Sequence, residues 1–167
     1  IANFNEVGQV WGMAYQQEKK RIFSTSLLKR HSGFGPLGPG GIYVTDYTTA
    51  PGTLVSSFNL QGLTPANGGA SINFGTVDRT TTTPAGDYVL PDNNTDDSRD
   101  IDAFAKVGKM SFGDADVSPD GKKLWTINLF QRAIISVDIS NPSSYPGTVN
   151  QYLMSGFSGL PTCTNGQ

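Results

Sequence analysis

The clearest hydrophobic pattern in the chain lies in residues 114–139, where short apolar runs are separated by turn residues. In residues 124–129 apolar and polar side chains alternate, as they do in a β-strand with one buried face. Residues 118–121 read Ser-Pro-Asp-Gly, which predicts a tight turn because proline presets φ and glycine accepts a positive φ. With a further run at residues 134–139, the segment predicts three antiparallel strands joined by short connections.

The same pattern occurs a second time, nearer the start of the chain. Residues 10–27 align without gaps on the central segment, so that Ile22 falls on Leu124 and Phe23 falls on Trp125. A constant offset of this kind indicates an internal repeat. The copies diverge at a longer Gly/Pro loop, and the match then resumes in the strand that begins at Ile42 and aligns with Ile134.

A fourth strand is predicted in each copy after a Pro-Gly pair, at residues 53–60 and 148–154. Each copy is then a four-stranded antiparallel meander, and the two meanders occupy residues 10–60 and 110–154. The insertion between them, residues 61–109, is rich in Gly, Thr, Asn and Asp. A structureless loop of that length is uncommon in a compact domain, so short hairpins or partial disorder are expected in it. Residues 155–167 have the composition of a linker into a further unit.

The composition favours one all-β domain with many turns. Among 167 residues, 20 are glycine, 10 are proline and only 16% are charged. The net charge of -2 gives no electrostatic reason to bind nucleic acid, and no apolar run approaches the roughly 20 residues that span a bilayer. We therefore expect neither nucleic-acid binding nor membrane insertion.

Cys163 is the single cysteine, which excludes an internal disulfide. The start at Ile1 suggests a piece of a longer protein.

The turn SPDGKKLW, followed by INLF and ISVDI, resembles one blade of a YVTN-type β-propeller, and the resemblance extends to both copies. VWGMAY, KRHSGFGPLGPGGIYVTDY and SGLPTCTNGQ are similar to propeller portions of long, repeat-containing bacterial surface proteins. The resemblance implies an incomplete β-propeller of two four-stranded antiparallel blades, secreted or displayed at the cell surface. A propeller closes with about four to eight blades, so the implied partners are other blades on the same or another polypeptide.

A basic cluster of three residues, Lys29, Arg30 and His31, precedes the Gly/Pro loop of the first copy. We predict that it lies at one rim of the propeller, either as a ligand-binding rim or as a loop that bonds to backbone. Because His31 is the only histidine, a Ser-His-Asp hydrolase would have to use it. The chain contains neither the G-x-S-x-G motif nor the phosphate-binding loop motif.

An acidic loop occupies residues 92–102, which read DNNTDDSRDID. Carboxylate and amide oxygens are the ligands that Ca²⁺ prefers, although the spacing does not match an EF-hand. The loop is therefore a candidate calcium site, with the possible ligands Asp92, Asp96, Asp97, Asp100 and Asp102. The alternative is an acidic surface loop surrounded by solvent.

Two functional hypotheses from different classes remain. The first is a non-enzymatic binding, adhesion or structural module of a secreted or surface-displayed bacterial protein, with a protein or glycan ligand that the sequence does not identify. The second is a metal-dependent hydrolase or lyase whose remaining blades lie outside this chain.

Aromatic side chains on the predicted strands are expected to pack between blades: Trp11, Tyr15, Phe23, Tyr43 and Trp125.

Overall fold

The strands form two four-stranded antiparallel sheets in the computed structural model, which describes residues 2–81, 88–91, 93 and 95–154. The first sheet contains, in spatial order, β1 (Val10–Gln16), β2 (Arg21–Ser26), β3 (Gly41–Asp46) and β4 (Thr53–Asn59). The second sheet contains, in spatial order, β5 (Phe112–Val117), β6 (Lys123–Asn128), β7 (Ala133–Asp138) and β8 (Val149–Leu153). Helix in the described residues is limited to α1 (Phe4–Val7), α2 (Ile101–Phe104) and a 3-10 turn at Gly38–Gly40. The prediction of an all-β chain is confirmed.

The turn between β5 and β6 has the chemistry that its sequence predicts. Gly121 has a φ of 68°, a value that costs glycine little because it has no Cβ, and its N–H donates to the Ser118 carbonyl at 2.8 Å. The Asp120 carboxylate accepts hydrogen bonds from the Ser118 hydroxyl at 2.6 Å and from the Lys122 N–H at 3.1 Å. The turn therefore sets the register in which Val117 pairs with Leu124.

One hydrophobic core lies between the two sheets. The first sheet contributes Phe23, Val44 and Phe58, and the second contributes Leu124, Ile135 and Val137, all buried. Residues 61–81 add Ile72 and Phe74, and the Phe74 ring lies 4.1 Å from the ring of Phe112. Removal of these side chains from water is the main force that holds the sheets together.

The two sheets form a wedge whose narrow side is the pair β1 and β5. These strands approach so closely that a Cβ added to Gly12 would lie 2.9 Å from the Gly113 carbonyl oxygen and 3.0 Å from the Ala115 nitrogen. On the wide side, Tyr145 fills the gap, with its ring centre 5.6 Å from that of Phe23. Its hydroxyl accepts a hydrogen bond from Arg21 at 3.2 Å.

The sheets bury opposite faces of the aligned sequence pattern. In the first sheet Phe23 is buried and Ile22 is partly exposed, whereas in the second sheet Leu124 is buried and Trp125 is 36% exposed. Tyr43 is buried on the outer face of the first sheet, where its hydroxyl accepts a hydrogen bond from the Leu37 N–H at 3.2 Å. The expectation that strand aromatics pack between the sheets is confirmed for Phe23. It is wrong within this chain for Trp11, at 66% exposed, and for Tyr15, at 53%, as well as for Trp125. These three side chains lie on the outer faces of the sheets, where Trp125 is partly covered by the ring of Tyr152.

The expected hairpins in residues 61–109 do not occur in the part that the structure describes. The alternating apolar residues Ile72 and Phe74 are buried in the core between the two sheets, and they do not pair as a strand. Earlier in the same segment, the Ala66 N–H donates to the Val149 carbonyl at 2.8 Å, and the Asn67 amide bonds to both the N–H and the carbonyl of Gln151. The insertion therefore bonds to the free edge of β8, where an unpaired strand would otherwise expose its backbone.

Residues 155–167, with the predicted linker and Cys163, lie outside the described residues.

The close approach of β1 and β5 yields a stability prediction for Gly12→Ala. The new methyl group would lie within about 3 Å of the β5 backbone, so we expect a net loss of about 1 to 3 kcal/mol in the free energy of unfolding. Gly33→Ala is the matched control, because a Cβ at Gly33 meets nothing within 4 Å. Urea denaturation of both variants measures the difference, and equal midpoints would contradict the proposed contact.

Candidate functional site

The basic cluster and the acidic loop, which the sequence places in different segments, lie against each other in the structure. The connection is Arg79, whose guanidinium group contacts both. Its Nε donates to Asp100 Oδ1 at 3.0 Å and its second terminal nitrogen donates to Asp100 Oδ2 at 2.6 Å. The same guanidinium donates to the carbonyls of Ser32 at 2.8 Å and Lys29 at 3.0 Å. We call this arrangement the Arg79–Asp100 clasp.

Asp100 is fully buried, and Arg79 is largely buried over the ring of Phe34. A charge without a partner in such a place would be costly, so each member of the pair requires the other. Sequence reasoning missed Arg79. The available signal was composition, because Arg79 is the only Lys or Arg in the long stretch between Arg30 and Arg99.

The three residues of the basic cluster contribute to the contact in different ways. The His31 backbone N–H donates to Asp100 Oδ2 at 2.9 Å, in a residue with a φ of 62°. The Arg30 side chain donates twice to the Arg99 carbonyl, at 3.1 and 2.7 Å, and lies 5.1 Å above the ring of Phe104. Lys29 takes part through its carbonyl. The cluster therefore attaches the acidic loop to the loop that follows β2, and a ligand-binding role for it stays a prediction.

Two aspartates here have a pKa that is shifted by opposing causes. Burial alone raises the pKa of Asp100, but hydrogen bonds from Arg79 and the His31 N–H outweigh it, so the pKa lies below its ordinary value. For Asp102, burial also raises the pKa, and hydrogen bonds from Lys106 and the Asp78 N–H again lower it overall. Both carboxylates are thus held in the ionised form by donors from the protein itself.

A third carboxylate stabilises the chain just before the clasp. The hydroxyl of Thr81, followed by the N–H groups of Thr80 and Thr81, donates hydrogen bonds that lower the pKa of Asp78 to about 2. Its own N–H donates to the Asp102 carboxylate, which also accepts from the Lys106 ammonium group at 2.7 Å. These contacts connect the middle of the insertion, at Asp78, to α2 and the turn that follows it.

The structure separates the candidate calcium ligands into different environments. Asp100 and Asp102 accept hydrogen bonds from protein donors, whereas Asp96 and Asp97 are exposed. Asp92 lies outside the described residues. Among the residues that the structure does describe, no three histidine, cysteine, aspartate or glutamate side chains are grouped so that they could hold a metal ion. A calcium site in this loop remains a prediction from composition.

A polar cleft of about 460 Å³ lies beside the clasp. Its lining combines ring, amide, hydroxyl and carboxylate groups, and consists of His31, Leu90, Pro91, Asn93, Thr95, Asp96, Asp97 and Ser98. Hydrogen-bond donors and acceptors of this kind suit a small polar ligand or the edge of a larger one. The lining groups come from the two loops that the clasp holds together.

The comparisons with known proteins find one distant similarity. No family model and no solved structure matches the chain. The sequence is 28% identical over 150 residues to Colossin-D of Dictyostelium discoideum, a match that covers 87% of this chain and 14% of that protein. The chain thus spans about a seventh of the length of this relative.

Within the described residues, no helix has the length and apolar character that a bilayer-crossing helix requires.

The clasp gives a pH-dependent prediction for Asp100→Asn. The substitution keeps the shape of the side chain but leaves the Arg79 charge largely buried without a counter-charge, so a loss of about 3 to 5 kcal/mol is expected at pH 7. The pKa of Asp100 is lowered by folding, so its stabilising contribution is full above the unfolded pKa of about 3.9 and is lost as the pH falls through the folded pKa. The difference between the wild type and the variant should therefore shrink below about pH 4.

Denaturation at several pH values measures this difference, and Asp97→Asn in the same loop is the control, expected within about 0.5 kcal/mol of the wild type. A constant gap from pH 7 down to pH 3 would show that the charge of Asp100 is not what stabilises the loop.

The calcium hypothesis has a separate test in thermal melting. A bound ion would stabilise the folded chain by mass action, so Ca²⁺ should raise the melting temperature in a saturable way. The double substitution Asp96→Asn and Asp97→Asn removes the two exposed carboxylates without affecting the clasp, and it should abolish the rise. A wild-type melting curve that is unchanged in millimolar Ca²⁺ supports the solvated acidic loop instead.

Proposed function

We propose that the chain forms two adjacent blades of a β-propeller and serves as a non-enzymatic binding, adhesion or structural module of a larger secreted or surface-displayed protein. The observation that carries the proposal is the direction in which the two sheets stack. The first sheet buries the face that contains Phe23, and the second buries the face opposite to the aligned Trp125. One sheet therefore packs front to back on the next.

Front-to-back stacking supports a propeller over a closed sandwich. In a two-sheet sandwich both inner faces belong to one shared core, and stacking ends there. In a propeller each blade is related to the next by a rotation in one sense, so the front of one blade covers the back of its neighbour. The wedge shape also favours a propeller. The innermost strands β1 and β5 lie close together and the strands beyond them diverge, as the strands of neighbouring blades do with distance from a central axis.

A binding role is supported by the polar cleft and by the clasp that fixes the loops lining it. The Arg79–Asp100 clasp fixes the two loops that line the cleft, so a ligand would meet groups that are already in position. The cleft has exposed carboxylates, amides and hydroxyls, which suit hydrogen bonds to a protein or a glycan. A metal-dependent hydrolase or lyase is the alternative, and it would need further ligands from blades outside this chain.

The setting within a larger protein is supported by the similarity to Colossin-D, because a segment similar to this chain makes up only 14% of that relative. A bacterial source and a place outside the cell or at its surface rest on the sequence resemblance to repeat-containing surface proteins. The relative is from Dictyostelium discoideum, so it adds no support for a bacterial source.

The proposed function predicts saturable binding without turnover. The purified chain should bind one or more members of a glycan and protein array, and binding should weaken when Asn93→Ala and Asp96→Ala change the cleft. Lys122→Ala, in the exposed turn between β5 and β6, is the control and should bind as the wild type does. Hydrolysis or elimination of ester, phosphodiester or polysaccharide substrates that requires Ca²⁺ and is lost on the same cleft substitutions would favour the enzyme instead.

A further inference from the structure

Each sheet of the chain has one outer face that the described residues cover only in part, since the loop at residues 35–37 covers Tyr43 on the first sheet and the strands before it stay open. On the first sheet the open part of this face contains Met13 and Tyr15, and we call it the covering face. On the second sheet it contains Trp125, Ile127 and Ile134, and we call it the receiving face. Both faces are apolar enough to need an explanation, since exposed aromatic and aliphatic groups on adjacent strands mark sites of association.

The packing inside the chain shows what each kind of face contacts. In the first sheet the positions that receive the second sheet are Phe23, Thr25 and Ile42, all fully buried. By the alignment of the two copies, these positions correspond to Trp125, Ile127 and Ile134 of the receiving face. The receiving face therefore repeats, on the second sheet, the surface on which the first sheet accepts its neighbour.

The covering face likewise corresponds, by the alignment of the two copies, to the surface with which the second sheet packs on the first. In the second sheet the positions that lie on the first sheet include Ala115, Val117 and Leu124. Their counterparts in the first sheet are Met13, Tyr15 and Ile22, which belong to the covering face and its inner rim. One chain thus has an unused surface of each type, and the two types are the ones that pack together in its own core.

We infer that the receiving face binds the covering face of a second copy of this chain, in a head-to-tail arrangement that continues the packing already present between its two sheets. The inference rests on the front-to-back stacking of the proposed function, and the contact would be heterologous. A second copy is the occupant that supplies Met13 and Tyr15 in the order and spacing that Ala115 and Val117 have inside the chain.

The chemistry of the two faces fits a contact that is wider than the internal one. Gly12, which allows β1 to approach β5, is replaced on the receiving face by Asp114, whose side chain requires more space between the strands. The side chains that would face it are correspondingly larger, with Met13 in place of Ala115 and Tyr15 in place of Val117. A groove of about 270 Å³ between Asp116, Trp125 and Ile134 is available to take them.

The Tyr15 hydroxyl supplies a polar group for this groove. Asp114 and Asp116 flank the receiving face, and each uses one carboxylate oxygen to accept the N–H of the next residue, at 2.9 and 2.8 Å. Their other oxygens are available for a donor. Tyrosine combines a large apolar ring with such a donor, which explains why an exposed tyrosine suits the opposite face. The ring of Tyr152, stacked 6.2 Å from Trp125, extends the apolar surface.

Sedimentation velocity of the full chain and of two single-face variants tests the inference. Trp125→Glu places a charge on the receiving face, and Tyr15→Glu places one on the covering face. The wild type should form species heavier than the monomer at micromolar concentration, and each variant alone should lose them. Val107→Glu is the control, because Val107 is 45% exposed in the turn after α2 and belongs to neither face. Circular dichroism verifies that all variants remain folded.

Mixing the two variants gives the decisive measurement. Each variant retains one intact face, so a head-to-tail contact predicts that the mixture forms a 1:1 heterodimer and nothing larger. A wild type that stays monomeric overturns the inference. Dimers of Tyr15→Glu alone, without gain on mixing, would also overturn it, because they would mean that two receiving faces pair with each other. Neither result affects the glycan and protein array, so a failure of this inference is distinguishable from a failure of the proposed function.

Discussion

The close approach of β1 and β5 is the constraint on which the rest of the structure depends. Gly12 permits it, because any side chain at that position would meet the backbone of β5. With the narrow side of the wedge set by this contact, the strands beyond it diverge, and larger groups are needed to fill the widening space. Phe23, Phe58 and the Tyr145 ring meet that need. The core is therefore graded in side-chain size from its narrow side to its wide side.

Hydrogen bonds and an ion pair fix the parts of the insertion that the hydrophobic core does not hold. The insertion between the sheets lacks strands of its own in the described part, yet it is attached at several points by side chains that bond to backbone, such as Asn67 with Gln151. At its far end the Arg79–Asp100 clasp connects it to the loop after β2. A buried ion pair of this type adds little net stability compared with an apolar pair, but losing one member is costly, so it favours one arrangement of the loops over others.

Sequence reasoning predicted most of the fold and little of the site, and the difference has a physical cause. Strands and the turn at Gly121 depend on local periodicity and turn chemistry, which the sequence displays directly. The clasp depends on a contact between His31 and Asp100, which are 69 residues apart, and on Arg79, which has no local pattern. The same limit explains Trp125, since alternation identifies the two faces of a strand but does not state which one another part of the molecule will cover.

Stacking in one direction has a consequence that no choice of side chains within this chain can remove. If each sheet packs its front on the back of the next, two sheets always leave one front and one back exposed, and these are unlike surfaces. The chain treats them differently from its internal contact, with Asp114 at the position of Gly12 and Tyr15 at the position of Val117. Asp114 lowers the cost of exposing its face to water, whereas the larger apolar groups of Met13, Tyr15 and Trp125 raise that cost for as long as no neighbour covers them. The internal contact is thus the tight one, and the contact that we propose between outer faces would have a wider spacing.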